Sequence, residues 1–234
     1  VDDYKPKELD SKMKVFINGS WQGISEEPIN LYNMLKEQKY KGIINIYTSI
    51  SINYKTLELR VCNDGGRLTR PVLRVRHNKA LITNEVISKI VSNELCWNDL
   101  LISAKLDESV IEYIDPDEQE TSLIYMKSKE ALPNLNLYTH CEIHPSLMFG
   151  VMGSQVIFPE HNPLPRNLFS CGQSKQAVSL YHSNFQNRID KMGVVLNYGQ
   201  IPLIKSRYMW YINKEKNPYG ENAIVAIMCH GGYN

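Results

Sequence analysis

The residues with the most chemical capacity gather between Thr139 and Gln176, in the run THCEIHPSLMFGVMGSQVIFPEHNPLPRNLFSCGQSKQ. His140, Cys141 and His144 carry donor atoms suited to zinc, with His161 and Cys171 as the nearest further ligands. Zinc is held at regular short spacings, and this set matches none of them, so histidines hydrogen-bonded to neighbouring backbone are the better reading. Glu142 between two histidines does not reproduce the H-E-x-x-H helix motif, and a metallohydrolase is not expected. Arg166 and Asn167 are different. Pro163 and Pro165 reduce the entropy cost of holding Arg166 in one place. A helix expected to open at Gln173 lies just downstream, so main-chain N–H groups, helix dipole and guanidinium would converge, which is how proteins hold phosphate. On chemistry alone, a surface salt bridge is an equal alternative for Arg166. Lys175 and Gln176 fall on the first turn of that expected helix and read, from the residues alone, as solvent-facing polar side chains.

Two other clusters read more plainly. Asp64-Gly65-Gly66-Arg67 with Arg70-Pro71 is a hairpin turn with two solvated arginines rather than a phosphate loop. Asp115, Asp117, Glu118 and Glu120 form an acidic run without calcium-loop spacing, and are expected to be a solvated turn.

The elements that must position these residues follow from periodicity and punctuation. Val15–Ile17 is a short strand and Asn18-Gly19 a turn. Ser25 and Pro28 start a helix reaching about Lys41, with Ile29, Tyr32 and Leu35 on its apolar side and Gly42 as its stop. Ile43–Ile46, Leu57–Val61 and Pro71–Val75 are expected strands. Thr83 caps a helix through Val91, Trp97–Ile102 is helical, and Val110–Ile114 and Ser122–Met126 are strands. Pro133–Leu137 reads as a linker. Leu147–Phe158 is expected to be buried. Ala177, Tyr181, Phe185, Ile189, Met192 and Leu196 recur at helical spacing, with Arg188 and Asp190 as a polar pair on that helix. Asn222–Met228 is expected to be a buried strand. The fold class is α+β, in three consecutive units: 1–78, 79–137 and 138–234, the last modestly basic.

Composition narrows the partners. Among 234 residues, 43% are apolar and 22% charged, and the formal net charge of +1 does not by itself announce nucleic acid. Five cysteines without a C-x-x-C pair give neither a disulfide framework nor a zinc ribbon. No apolar run is long enough to span a bilayer, so no membrane partner is expected. The opening Val1 and closing Asn234 read as cut ends.

The blocks THCEIHPS, FPEHNPLPRN, SKQA, NFQNRID and NAIVAIMCHGGYN, with VCNDGGRLTRPVLRV and KVFINGSWQG before them, occur in order along nearly the whole chain. Together they resemble the second-largest subunit of multisubunit DNA-directed RNA polymerases, in the eukaryotic, archaeal and large-DNA-virus branch, with wording that leans viral. The resemblance implies two external modules followed by the start of the hybrid-binding region. It implies DNA-templated RNA synthesis by nucleotidyl transfer, with the largest subunit and other polymerase subunits, DNA template, RNA transcript and nucleoside triphosphates as partners. Arg166 would contact the phosphates of the incoming nucleotide. Lys175, Gln176, His161, Asn162 and Arg207 would lie near the RNA or the RNA–DNA hybrid. Mg2+ would act in the assembled enzyme, with its principal ligands on another subunit. A Gln-Glu-Asp segment is expected beyond Asn234, so the chain alone is expected to be inactive. The alternative is a non-catalytic nucleic-acid-binding module.

Overall fold

A computed structural model describes residues 5–77, 79–126, 137–179, 181–182, 184–211 and 216–232. It is a mixed α and β structure that divides into two compact units, 1–145 and 146–234. The expected linker Pro133–Leu137 lies almost wholly outside the described residues.

The first unit holds two sheets. After a short helix α1 (Pro6–Leu9), strands β1 (Met13–Ile17) and β2 (Ser20–Ser25) form a hairpin in which Ile17 faces Ser20. Asn18 and Gly19 both have positive φ, 49° and 79°, the mirror-image turn whose twist suits a two-residue hairpin. Helix α2 (Pro28–Tyr40) follows, with proline in its first turn and Gly42, φ 75°, just past its end. Strands β3 (Ser49–Asn53) and β4 (Glu58–Cys62) pair antiparallel, and β4 runs parallel to β1, giving the order β2-β1-β4-β3. Met13, Ile50, Ile52 and Leu59 form its core, against Leu31, Tyr32 and Leu35 of α2. Ile29, expected on the same apolar side, is exposed instead. Ile43–Ile46 is a turn rather than the expected strand, because Gly42 reverses the chain and the extended segment begins only at Ser49.

The second sheet is built on β5 (Arg70–Arg76). It pairs antiparallel with β6 (Lys79–Ala80), β7 (Ile111–Ile114) and β9 (His140–Cys141), and β8 (Ile124–Tyr125) runs parallel to β9. Helices α3 (Asn84–Val91) and α4 (Trp97–Leu101) cover it, and Thr83 caps α3 by accepting from the Val86 N–H. Leu73, Val86, Leu95, Leu100, Leu101, Val110, Ile111 and Cys141 form a second core. The acidic run forms the short helix α5 (Pro116–Glu120), with Asp115 as its cap. Asp115 and Glu118 are buried, which corrects the solvated-turn reading.

The unit from 146 onward contains one α-helix among its described residues, α6 (Leu164–Gln176), with short 3-10 turns around it. Three expectations fail here. Leu147, Met148, Val151 and Phe158 are exposed rather than buried. The helix expected from Gln173 to Leu196 instead lies upstream and ends at Gln176, and Ala177 is already extended. Of its expected apolar face, Tyr181, Ile189 and Met192 are exposed and only Phe185 and Leu196 are half-buried; a helix gains most of its stability by packing such a face, and this one is left largely uncovered. Asn222–Met228 is not a strand, and Ile224 and Ile227 are almost wholly exposed; an extended run without a paired neighbour leaves its main chain unbonded.

Candidate nucleic-acid interface

Local geometry around α6 begins at Phe158, which adopts a left-handed φ of 47° and stacks its ring on His161, centroids 5.1 Å apart and planes 10° off parallel. Pro159–His161 is a 3-10 turn, closed by the His161 N–H donating to the Phe158 carbonyl at 3.0 Å. Asn162 follows in extended conformation. The Asn167 side-chain amide donates back to the Pro159 carbonyl at 2.8 Å and ties this turn to the helix. Arg166, at the third helical position, holds its guanidinium 5.8 Å from the Phe169 ring centre. So Arg166 and Asn167 are in the first turn of a helix, not on a loop before one, because prolines fit the cap and first turn where their missing N–H costs nothing.

That placement changes the expected anion site. A helix start normally offers four free N–H groups. Here Pro163 and Pro165 have none, and the Arg166 N–H already donates to the Pro163 carbonyl at 3.0 Å. Of the converging main-chain donors only Leu164 remains, and the positive field of the helix start and the exposed guanidinium carry any attraction for phosphate.

Lys175 and Gln176 are in the last turn of α6, not the first. Nine residues at 1.5 Å and 100° each set Lys175 about 14 Å along the axis from Arg166 and on the opposite side. Both are exposed, as is Arg207 on a separate 3-10 turn, Arg207–Tyr211. The structure thus groups His161, Asn162 and Arg166 at one end of α6 and places Lys175 and Gln176 at the other. Gln176 borders a cleft of about 580 Å3 that Arg188 and Asp190 also line. Arg188 pairs with Asp190 at 3.0 Å as expected, although not on a helix.

In the first unit the histidine reading takes a different form. His140 is buried, with Nδ1 2.9 Å from the Thr139 hydroxyl and Nε2 3.0 Å from Glu112 Oε2, so its partners are side chains rather than backbone. The expected hairpin at residues 64–67 is instead a connection from β4 to β5 of the other sheet, and its arginines are not merely solvated. Arg67 donates to the Tyr47 carbonyl and pairs with Asp115 at 3.3 Å; Arg70 donates to Gln119 and pairs with Glu142 at 2.5 Å.

A buried charge cluster went unread in the sequence. Lys36 donates to Glu112 and Glu118, each at 2.5 Å, and Lys39 donates to Glu112 at 3.1 Å and to the Tyr113 carbonyl at 2.9 Å. Tyr40 donates to the other Glu112 oxygen at 2.9 Å. Burial opposes charge on Glu112, but Lys36, the His140 hydrogen bond and Lys39 together hold its carboxyl well below the usual range. Burial likewise pulls against Lys36, and Glu112 and Glu118 outweigh it, so Lys36 stays charged far above its ordinary range. Lys39 goes the other way, lowered by burial and by the Lys36 cation beside it. The signal was present: Tyr32, Lys36 and Lys39 share the apolar side of α2, and Glu112 interrupts an apolar strand.

Family models for RNA polymerase Rpb2 match in sequence: domain 4 over residues 15–76, domain 5 over 97–145 and domain 6 over 152–234. The DNA-directed RNA polymerase II subunit RPB2 of Encephalitozoon cuniculi is 37% identical over 241 residues, covering 100% of this chain and 21% of the relative. Subunit 2 of the Acanthamoeba polyphaga mimivirus enzyme is 34% identical, covering 99% of the chain and 21% of the relative. Rpo2 of Sulfolobus acidocaldarius is 34% identical, covering 94% and 19%. The chain thus spans about a fifth of the length of these curated relatives. With three successive domain models in order and relatives aligned along its whole length, the chain belongs to the family of the second-largest subunit of DNA-directed RNA polymerase.

Proposed function

We propose that this chain serves DNA-templated RNA synthesis within a multisubunit polymerase, as two external modules (1–78 and 79–137) and the start of the hybrid-binding region (138–234). The observation that carries this is the unbroken order of domains 4, 5 and 6 along one chain. The largest subunit, the remaining subunits, template, transcript and nucleoside triphosphates are its proposed partners.

Within that reading, Arg166 contacts the phosphates of the incoming nucleotide. His161 and Asn162 shape the wall beside it, and Lys175, Gln176 and Arg207 face the RNA or the hybrid. The roughly 14 Å between Arg166 and Lys175 suits a long substrate held at several points along its backbone better than one small molecule. An A-form hybrid is recognised mainly through phosphate and 2′-hydroxyl, which exposed Lys, Arg and Gln donors satisfy.

The residues around α6 do not fit a magnesium site of their own. Mg2+ takes oxygen ligands in an octahedron, and among the described residues the carboxylates near α6 are Glu160, exposed and 4.0 Å from the His161 ring at one end, and Asp190, paired with Arg188 at the other. The metal is therefore proposed to be held by another subunit, and this chain contributes positioning and positive charge.

The test is kinetic, in the assembled polymerase carrying this chain. Losing a charge-assisted phosphate contact is worth a factor of roughly ten or more, so Arg166→Ala is expected to raise the nucleotide KM by about that factor. An unchanged KM and elongation rate would remove Arg166 from the nucleotide site. Lys175→Ala is expected to lower the slope of log affinity for the hybrid against log salt by about one, with nucleotide KM unaffected.

A further inference from the structure

The two sheets of the first unit have separate apolar cores, one around Ile50 and Leu59 and one around Leu73, Leu101 and Ile111. Buried ion pairs join them. Helix α2 packs its Leu31 and Leu35 on the first core, yet its Lys36 and Lys39 reach Glu112 on β7 of the second sheet. Glu118 of α5 receives Lys36 and also accepts the Ile50 N–H of β3 at 2.9 Å. Asp115, at the head of α5, holds Arg67 from the connection between the sheets. The acidic run thus fastens on one side to β3 and α2 and on the other to its own sheet.

We infer that this cluster is a charge latch that makes the two sheets unfold as one, and that without its carboxylates the two cores would open independently. Buried charges are costly to strand: when either core opens, the partners left in the other lose their counter-charges in a dry environment. Opening one side therefore destabilises the other, which is cooperativity supplied by ion pairs rather than by a shared apolar core. The groups facing the two glutamates are Lys36, Lys39 and Tyr40 from α2 and His140 from β9, with Tyr32 and Arg74 close behind. Both lysines take their ion pairs from these two glutamates, so neutralising the carboxylates leaves buried lysines without a counter-charge.

The three tryptophans give the readout. Trp21 is on β2 of the first sheet and Trp97 begins α4 on the second core. In single-tryptophan versions of the 234-residue chain, the others replaced by Phe, urea unfolding at pH 7 is expected to give coincident midpoints. With Glu112→Gln and Glu118→Gln combined, the midpoints are expected to separate by about 1 M urea or more. Should the double variant not fold, wild type taken well below about pH 4, through the depressed folded value of Glu112, is expected to show the same separation. Separate midpoints in wild type at pH 7, or coincident ones after the carboxylates are neutralised by either route, would overturn the latch.

Discussion

Glu112 gathers more partners than any other side chain described, and the energetics of the first unit turn on it. Its two oxygens serve Lys36, Lys39, Tyr40 and His140. Glu112→Gln removes the charge but little volume, and leaves two buried lysines sharing Glu118. Breaking one partner out of a buried pair costs about 3–5 kcal/mol, so the variant is expected to lose that much in urea unfolding at pH 7. The pH dependence has a definite sign. A carboxyl held below its ordinary value contributes stability that is complete above about pH 4.3 and drains away as pH falls through the lower folded value. Wild type should therefore lose stability on acidification below about pH 4 more steeply than Glu112→Gln, and parallel curves would contradict the assignment. Part of this was legible: lysines on the apolar side of a helix and a glutamate inside an apolar strand are unusual enough to demand partners. Which lysine meets which glutamate was not, because they are some 70 to 80 residues apart along the chain. At Arg166 the type of residue was readable, but the count of free N–H groups required knowing that both prolines sit at the helix start.

Elements were legible where local chemistry settled them. The Asn18-Gly19 hairpin, the Thr83 cap and the Gly42 stop each depend on a few neighbouring residues, and each appears where the sequence puts it. Gly42 is the most constrained of these. Its φ of 75° is unfavourable for any side chain, and a Cβ there would come within 3.0 Å of Ile102. Gly42→Ala is expected to cost about 1–2 kcal/mol in thermal or urea unfolding from backbone strain alone, and more if Ile102 cannot move. Elements failed where a face needed a distant partner. The period from Ala177 to Leu196 is real as a pattern, but a pattern forms a helix only when its apolar side is covered. The run Asn222–Met228 has strand composition without a strand beside it, and composition alone does not close a ladder.

On the scale of the whole molecule, the two units differ in kind. Residues up to 145 contain both sheets, both apolar cores and the charge cluster. From 146 onward Ser179 is the one buried residue among those described, and large apolar side chains such as Ile189, Val194 and Ile224 lie open. Relatives in this family are about five times as long as the chain, so its share of a larger core is not visible from its own sequence. The difference predicts a graded opening. Amides survive exchange when their hydrogen bonds break only by global unfolding, and that requires a packed core around them. Hydrogen exchange on the 234-residue chain should show the slowest amides in β3, β4, β5 and β7, around Ile50, Leu59, Val72 and Ile114, each essentially free of solvent exposure. Amides of α6 should exchange at least tenfold faster, since no side chain of that helix is buried to hold it closed. On the proposed function, placing the chain in the assembled polymerase should slow exchange in α6 far more than in β3 or β5, whose core residues are already buried in the free chain. Equal protection of α6 and β3 in the free chain would mean that the second unit has a core of its own and would overturn the graded opening.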